Sequence, residues 1–262
     1  MRVAFVQTDP VFGRVEENLS AAEELIRCTE ADLYVLPELF SSGYLFCSHE
    51  EVLELAEPIP QGPTTRRLLD IAREKRGLIV GGLPERHDDR IYNSAVLVDE
   101  RGVQAVYRKV HLFLEEKKWF SPGDRPFSTV TINGICLGLM ICFDWFFPES
   151  VRSLALQGVQ IICHPANLVL PYCQRAMVTR CLENRVFAVT ANRVGCEERG
   201  GKRLTFTGGS QITAPNGDVL ASAPADRPCV TAVDIDPSAA ADKHVTPLND
   251  LFADRRPECY RL

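Results

Sequence analysis

The sequence lacks an excess of basic residues. Its 29 Lys and Arg are outnumbered by 35 Asp and Glu, which gives the 262-residue chain a formal net charge of −6 at pH 7. Proteins that bind a phosphate backbone or an anionic bilayer neutralise its charge with Lys and Arg. We therefore expect neither nucleic acid nor a membrane surface as a partner.

Long hydrophobic runs and a signal-peptide core are also missing. The first apolar stretch is short and is followed by Gln7, Thr8 and Asp9. No apolar run approaches the length that spans a bilayer. These absences favour a protein of the reducing cytoplasm.

The sequence also lacks the spacing of cysteines and histidines that is typical of metal sites. The chain has ten cysteines, but no two of them form a C-x-x-C pair, and its five histidines are scattered. We therefore predict no metal site. A disulfide framework is not expected either, because 45% of the residues are hydrophobic and can build a core without one. Most of the thiols should pack as small hydrophobic residues.

Strand-like and helix-like segments alternate along the chain. Short apolar runs at residues 3–6, 34–36 and 78–83 predict buried strands. Helical spacing predicts a helix at residues 18–27, with Asn18 as its N-cap. The pattern predicts a mixed α/β fold in a single domain over residues 1–262. Residues from about 236 to 262 are expected to form an extended C-terminal arm.

Three predicted strands end in side chains that could carry chemistry. Glu38 follows the strand at 34–36, Lys109 follows a hairpin strand, and Cys142 follows the strand that begins after the Asn133-Gly134 turn. Taken singly, Glu38 could cap a loop, Lys109 could be a solvated strand end and Cys142 could be buried filler. Together they could form a catalytic group, because a thiol such as that of Cys142 needs a base or a cation nearby to attack at neutral pH.

The segments around these residues resemble the three signature segments of the nitrilase superfamily of carbon–nitrogen hydrolases. They are residues 37–40 (Pro-Glu-Leu-Phe), 108–113 (Arg-Lys-Val-His-Leu-Phe) and 141–149 (Ile-Cys-Phe-Asp-Trp-Phe-Phe-Pro-Glu). Residues 121–124, 164–167, 182–185 and 206–210 also resemble segments of this family. The similarity extends from Val3 to about Ile235.

The resemblance implies a role for each residue of the triad. Cys142 would be the nucleophile, and Glu38 would be the general base that takes the thiol proton. Lys109 and the backbone N–H of Phe143 would stabilise the tetrahedral oxyanion. A thioester intermediate would form and be hydrolysed, with no metal or organic cofactor.

The resemblance also implies a second glutamate that orients the substrate. Glu115 and Glu116 are both candidates, and the usual spacing favours Glu116, although a one-residue slip would exchange them. Asn167 should border the substrate pocket, with a turn-capping role as the alternative. Tyr44 and Trp145 are expected to form apolar walls of the pocket, with core packing as the alternative for Trp145.

The family fold is a four-layer α-β-β-α sandwich, and its members usually form homodimers or larger homo-oligomers. We expect hydrolysis of a small aliphatic amide or nitrile to an acid and ammonia. An N-carbamoyl amine or amino acid is the alternative substrate. A catalytically silent binding or scaffolding protein is the alternative of a different class. The substrate's chain length and charge stay open at this point.

Overall fold

The computed structural model describes residues 1–260, so the last two positions of the predicted arm lie outside the described residues. The strands are, in chain order, β1 (Arg2–Gln7), β2 (Leu33–Val35), β3 (Leu78–His87), β4 (Arg90–Asp99), β5 (Gly102–Arg108), β6 (Thr129–Ile132), β7 (Ile135–Leu139), β8 (Ile161–Pro165), β9 (Phe187–Ala191), β10 (Cys196–Arg199), β11 (Lys202–Thr205), β12 (Gln211–Thr213), β13 (Val219–Ser222), β14 (Cys229–Asp234), β15 (His244–Thr246) and β16 (Asn249–Asp250). The helices are α1 (Val15–Arg27), α2 (His49–Leu55), α3 (Pro63–Lys75), α4 (Glu116–Trp119), α5 (Pro148–Ala155) and α6 (Cys173–Asn184).

Two six-stranded sheets form the centre of the protein. Sheet 1 has the strand order β14-β1-β2-β3-β4-β5, and sheet 2 has the order β13-β12-β9-β8-β7-β6. Both sheets are mixed: β1, β2 and β3 are parallel in the first, as are β7, β8 and β9 in the second. The other neighbouring strands are antiparallel.

Alternate residues of the central strands face two different hydrophobic layers. On β1, Val3 and Phe5 pack into the layer between the two sheets, whereas Ala4 and Val6 pack against α1 and α3. Helices α5 and α6 cover the outer face of sheet 2. This is the predicted α-β-β-α order of layers. Burial on both faces explains why β1 is a continuous apolar run without alternation.

The predicted N-cap of α1 is wrong. The helix begins at Val15, and Asn18 lies buried in its first turns. The Asn18 side chain accepts a hydrogen bond from the N–H of Val11 and donates to the carbonyls of Val11 and Ser41. Asn18 therefore anchors the loop that follows Glu38 to α1.

Residues from 236 to 260 pack on the body of the chain. The Lys243 ammonium donates to the carbonyls of Asn184 and Arg185 at the end of α6, at 3.0 and 2.8 Å. The Phe252 ring lies under the Arg152 guanidinium of α5, 5.1 Å away. Within residues 1–260, no helix is long and apolar enough to cross a membrane.

Candidate active site

The ends of β2 and β5 bring the first two predicted residues together. The Lys109 ammonium lies 2.7 Å from Glu38 Oε1 and 2.8 Å from the carboxylate of Glu116. Lys109 and Glu38 are fully buried, and Glu116 is 4% exposed. The predicted second glutamate thus completes a buried group of one cation between two carboxylates.

Two glycines let the backbone approach closely enough to build this group. A Cβ atom on Gly82 of β3 would lie 2.6 Å from the Glu38 Cα, and one on Gly123 would lie 2.2 Å from the carbonyl oxygen of Arg108. Real Cβ atoms do not approach backbone atoms so closely, so both positions need glycine. Gly82 thereby admits the Glu38 segment, and Gly123 admits the Lys109 segment.

Cys142 occupies a strained turn between β7 and a 3₁₀ helix at Cys142–Phe146. Its φ is +41°, in the left-handed region that non-glycine residues rarely adopt. Such strain costs on the order of 1–3 kcal/mol and is concentrated at functional sites. The Cys142 thiol is 4% exposed, and its Sγ lies 3.7 Å from the carbonyl oxygen of Asn167.

The turn is held by Asp144, which links it to the lysine segment. The buried Asp144 carboxylate accepts hydrogen bonds from the N–H of Ile141 at 2.8 Å and the Tyr107 hydroxyl at 2.7 Å. Its other oxygen lies 2.7 Å from Nδ1 of His111. His111 therefore joins the lysine segment to the cysteine turn.

The charges of the group set where the protons reside. Burial raises the pKa of Glu38 to about 7, against the opposing effect of Lys109. Burial by itself would lower the pKa of Lys109, but Glu116 and Glu38 outweigh it and raise that pKa. Burial, followed by the Glu38 charge, raises the pKa of the Cys142 thiol well above its usual range. The resting site therefore holds a charged lysine and a protonated thiol, so attack by Cys142 requires a base.

Tyr44 contacts the second glutamate directly. Its hydroxyl donates to Glu116 Oε1 at 2.6 Å. The loop that carries Tyr44 is anchored by Glu197, which accepts hydrogen bonds from the N–H groups of Tyr44 and Leu45. Glu197 pairs with the fully buried Arg193. The sequence predicted Tyr44 as an apolar wall, but its hydroxyl makes it a polar partner of Glu116 as well.

Asn93 is a site residue that the sequence analysis missed. Its side-chain N–H donates to Glu38 Oε1 at 2.6 Å, and its backbone carbonyl accepts from the N–H of Lys109 at 2.8 Å. Asn93 is fully buried in the middle of β4. The available signal was an amide side chain in a strand that continues into the apolar run Ala95–Val98, because a buried amide needs a partner.

Asn167 lies near the start of the loop after β8, beside Cys142. Its side chain is buried, and neither its oxygen nor its nitrogen has a hydrogen-bond partner within residues 1–260. Since buried polar groups are almost always paired, two unpaired atoms beside a thiol are available to a ligand. The turn-capping alternative would require a partner that the described residues do not supply.

Two cavities adjoin the group. A narrow one is lined by Cys142, Phe113, Trp145 and Asn167. A larger cavity of about 210 Å³ adjoins Glu116 and has a mostly apolar lining, namely Tyr44, Leu45, Phe46, Leu114, Trp119, Phe120 and Leu204. Trp145 also belongs to the hydrophobic core around sheet 2, so both interpretations of this residue describe part of its surroundings.

The structure also places the two other predicted residues, Glu115 and Phe143. Glu115 lies at the rim of the larger cavity and pairs with Lys118 and Lys202, away from Lys109. Of the two adjacent glutamates, only Glu116 therefore belongs to the buried group. The backbone N–H of Phe143 donates to no acceptor within residues 1–260. In the same range, no cluster of three His, Cys, Asp or Glu could hold a metal ion.

Comparison with known proteins gives one family. The model of the carbon-nitrogen hydrolase family matches residues 2–244. A nitrilase from Pyrococcus abyssi is 49% identical over 99% of both chains. An (R)-stereoselective amidase from Pseudomonas sp is 38% identical, covering 95% of this chain and 91% of that protein.

Solved structures give the same result. An amidase of the nitrilase superfamily from Nesterenkonia AN1 superimposes with a TM-score of 0.80 at 30% identity, covering 98% of this chain and 95% of that chain. Variants of that amidase have also been solved with acrylamide added at the active-site cysteine and in complex with butyramide. The predicted fold class is confirmed by this superposition.

Proposed function

The chain belongs to the nitrilase superfamily of carbon–nitrogen hydrolases, and we propose that its Cys142, Glu38, Lys109 and Glu116 carry out hydrolysis of a small aliphatic amide or nitrile. The observation that carries this assignment is the Lys109 ammonium held 2.7 Å from Glu38 and 2.8 Å from Glu116 in a fully buried site. Family membership establishes the chain as a hydrolase of small amides or nitriles. The proposal concerns the residues and the substrate.

In the first half of the reaction, Glu38 takes the proton of the Cys142 thiol as the sulfur attacks the amide carbonyl carbon. The S–C bond forms, and the π electrons of the carbonyl move to oxygen. Lys109 and the Phe143 N–H stabilise this oxyanion. When the carbonyl re-forms, the C–N bond breaks, and the nitrogen takes the proton from Glu38 and leaves as ammonia.

In the second half, a water molecule attacks the thioester while Glu38 takes one of its protons. The oxyanion forms again, the C–S bond breaks, and the thiolate takes that proton back from Glu38. The net reaction converts an amide and water into a carboxylic acid and ammonia. With a nitrile, sulfur adds to the C≡N carbon and a thioimidate precedes the thioester, with one more water consumed.

Glu38, whose pKa is raised to about 7, can act both as the base that takes a proton and as the acid that returns it. A base works best when its pKa lies near the working pH, because it is then ionised enough to accept a proton and acidic enough to return it. Glu116 lies on the other side of Lys109 and would orient the substrate nitrogen, together with the unpaired carboxamide of Asn167.

The cavity beside Glu116 supports a short apolar acyl chain. Its lining is mostly aromatic and aliphatic, and its volume of about 210 Å³ suits a chain of a few carbon atoms. The nitrilase from Pyrococcus abyssi and the (R)-stereoselective amidase are the relatives that support this substrate class.

A substrate panel with matched variants tests the assignment. Ammonia release is measured from butyramide, an aliphatic dinitrile and an N-carbamoyl amine, for the unmodified enzyme and for Cys142→Ala. The matched control is Cys163→Ala, because Cys163 is a buried cysteine of sheet 2 that lies outside the group. We expect release from butyramide or the dinitrile, abolished in Cys142→Ala and retained in Cys163→Ala.

Three results would contradict parts of the proposal. Turnover retained in Cys142→Ala would place the nucleophile elsewhere. Activity confined to the N-carbamoyl amine would replace the substrate class. A folded protein that releases no ammonia from any compound and does not label at Cys142 with iodoacetamide would support the scaffolding alternative.

We also propose that residues 1–262 act as one catalytic domain and assemble into a homodimer or larger homo-oligomer in the cytoplasm. All ten cysteines are unpaired, which suits a reducing compartment. Sedimentation velocity would give the mass of the assembly, and a monomer at micromolar concentration would contradict the oligomer.

A further inference from the structure

His164 lies beneath the cysteine turn, and the mechanism above gives it no role. It is fully buried in β8. Its Nε2 lies 3.0 Å from the carbonyl oxygen of Cys142, and its Nδ1 lies 3.1 Å from the hydroxyl of Thr190 on the neighbouring strand β9. Both ring nitrogens therefore have a partner, and one of these partners is the backbone of the nucleophile.

The partners determine which nitrogen carries the hydrogen. Burial lowers the pKa of His164 to about 4, so the imidazole is neutral at neutral pH. A carbonyl oxygen can only accept, so Nε2 must carry the N–H and donate it to Cys142. Nδ1 then accepts from the Thr190 hydroxyl, which can donate. The Cys142 carbonyl thus fixes a single tautomer, which the Thr190 hydroxyl matches by donating to Nδ1.

The carbonyl that His164 contacts belongs to the same peptide group as the N–H of Phe143. A trans peptide is planar, and its C=O and N–H point in opposite directions. A donor that fixes the Cys142 carbonyl on one side therefore fixes the direction of the Phe143 N–H on the other. That N–H has no acceptor within residues 1–260 and is the proposed oxyanion donor.

We propose that His164 is a positioning residue for oxyanion stabilisation, acting through the peptide between Cys142 and Phe143. The proposal rests on the proposed function, because it assumes attack by Cys142 and an oxyanion at Phe143. His164 donates to the carbonyl, holds the peptide in the left-handed turn and polarises its N–H. Hydrogen bonds in such a chain strengthen one another in a low-dielectric interior.

The role predicts a difference between two reactions of the same thiol. Amide hydrolysis passes through an oxyanion and needs the Phe143 N–H. Alkylation by iodoacetamide does not: sulfur bonds to the methylene carbon, iodide leaves with the C–I electrons, and Glu38 takes the thiol proton. A residue that positions the oxyanion donor should therefore affect amide hydrolysis but not alkylation.

The experiment compares His164→Leu, His164→Gln and Thr190→Val with the unmodified enzyme. Two rates are measured: kcat/KM for butyramide, and the alkylation rate of Cys142, followed by mass spectrometry of its peptide. Loss of a whole oxyanion donor costs about 10²–10³ in rate, so loss of its support in His164→Leu should lower kcat/KM roughly tenfold or more. Alkylation of Cys142 should change by less than about threefold, because no oxyanion forms.

The two other variants keep the test informative if His164→Leu does not fold. In His164→Gln the side-chain amide can donate from nearly the position of Nε2, so most of kcat/KM should return. Thr190→Val removes the hydroxyl that holds Nδ1 and orients the His164 ring, with little change in volume, and it should lower kcat/KM by a few-fold with alkylation intact. Thermal unfolding by circular dichroism identifies the folded variants.

The outcomes separate this proposal from the proposed function. Parallel losses of turnover and alkylation in the folded variants would show a merely structural role and overturn the proposal. Unchanged kcat/KM in both folded variants that lose a hydrogen bond, His164→Leu and Thr190→Val, would overturn it as well. Turnover retained in Cys142→Ala would instead overturn the proposed function.

Discussion

At the residue scale, the chemistry depends on the balance of charge in the buried site, where one cation lies between two carboxylates. Glu38 and Glu116 would each cost free energy if buried alone, and Lys109 pairs with both. Burial raises the pKa of Glu38 most, Lys109 opposes this effect, and the negative charge of Glu116 adds to it. Burial beside a second carboxylate thereby turns an ordinary carboxylate into a base suited to neutral pH.

This raised pKa predicts the acidic limb of the pH profile. Glu38 must be ionised to accept the thiol proton, and its pKa is raised to about 7. We therefore expect kcat/KM for butyramide to fall about tenfold per pH unit below pH 7 and to level off above it. Initial rates of ammonia release between pH 5 and 9 give the profile. A plateau that extends down to pH 5 would exclude Glu38 as the titrating base.

A second prediction concerns the Tyr44 hydroxyl. Tyr44→Phe removes the hydrogen bond to Glu116 while keeping the ring in the cavity wall. The loss frees a Glu116 oxygen to move away from Lys109, so we expect kcat/KM to fall roughly tenfold, as for a lost hydrogen bond to a charged group. Ammonia release from butyramide provides the measurement.

The matched control is Tyr34→Phe. The Tyr34 hydroxyl donates to the carbonyl of Thr29 and accepts from the N–H of Ala31, at the opposite end of β2 from Glu38. Tyr34→Phe should cost stability but leave kcat/KM unchanged. Equal losses of activity in both variants would mean that Tyr44 acts only through packing.

At the element scale, short irregular segments position the reactive groups and rigid strands support those segments. The loop after β2, the lysine segment after β5 and the turn after β7 each leave a strand at the same side of the sandwich. Buried polar residues tie these segments down: Asn93 on β4 and Glu197 on β10 bond to the loop after β2, and Asp144 in the 3₁₀ helix joins the turn after β7 to the lysine segment.

Glu197 should therefore be among the more costly positions for stability. It is buried, accepts two backbone N–H groups and pairs with the fully buried Arg193. Glu197→Ala leaves that guanidinium with only the half-exposed Asp9, 3.6 Å away, as a carboxylate partner, and breaking a buried pair costs about 3–5 kcal/mol. Urea unfolding measures the loss. The adjacent Glu198→Ala is the control, because Glu198 and its partner Arg203 are largely exposed and surface pairs are worth about 0–1 kcal/mol. Similar losses in the two variants would contradict the argument.

Helix α4 should set the chain length of the substrate. It carries Glu116 at its start and Trp119 at its end, and both line the larger cavity. Trp119→Ala enlarges the cavity, so the ratio of kcat/KM for hexanamide to that for butyramide should rise by about tenfold, as expected for burial of two more methylene groups. Tyr172→Ala, an exposed aromatic position outside the cavity, should leave the ratio unchanged. A ratio unaltered by Trp119→Ala would mean that the acyl chain does not enter this cavity.

At the scale of the whole molecule, the C-terminal segment closes one side of the sandwich. Lys243 donates to two carbonyls at the end of α6 and is half-buried. Burial, together with the nearby charges of Arg185 and Arg152, lowers its pKa from 10.5 to about 8. The folded protein therefore binds this proton less tightly than the unfolded chain does.

The sign of this shift predicts the effect of pH on stability. Between about pH 8 and 10.5 the unfolded chain binds more protons at Lys243 than the folded protein, so the unfolding free energy should rise with pH through that window. Lys243→Met keeps the apolar stem beside Phe252 but removes the charge. The difference between the two proteins in urea unfolding at pH 7.5 and pH 10 measures the contribution. An identical pH dependence in the two proteins would exclude it.

Which free cysteines are buried and which are exposed is likewise a property of the whole molecule. Cys163, Cys173 and Cys181 are buried in the layers around sheet 2, and burial raises the pKa of Cys163 to about 12. The expectation that most cysteines act as small hydrophobic residues describes these three. Cys28, Cys47, Cys196 and Cys259 are exposed. Composition alone could not separate the two groups, because every free cysteine has the same side chain.

The sequence by itself determined the mixed α/β pattern, because strands and helices leave local periodicities, and the resemblance of its three motif segments implied the layered fold and the triad. Continuous apolar runs predicted strands buried on both faces, and the three motif segments predicted Glu38, Lys109 and Cys142. It did not predict Asn93, Glu197 or His164, and it misplaced the start of α1. Each of these residues acts through a partner distant in the chain, such as Glu38 for Asn93 and Cys142 for His164.

Only the tertiary structure decided which polar groups share the buried space, and therefore what their protons do. The choice of Glu116 over Glu115 follows from a distance to Lys109 of 2.8 Å. The pKa of Glu38 follows from burial beside one cation and a second carboxylate. Electrostatic energies depend on separation and on exclusion of water, and both are properties of the folded chain. A linear sequence specifies the ionisable groups, whereas packing determines how strongly they interact.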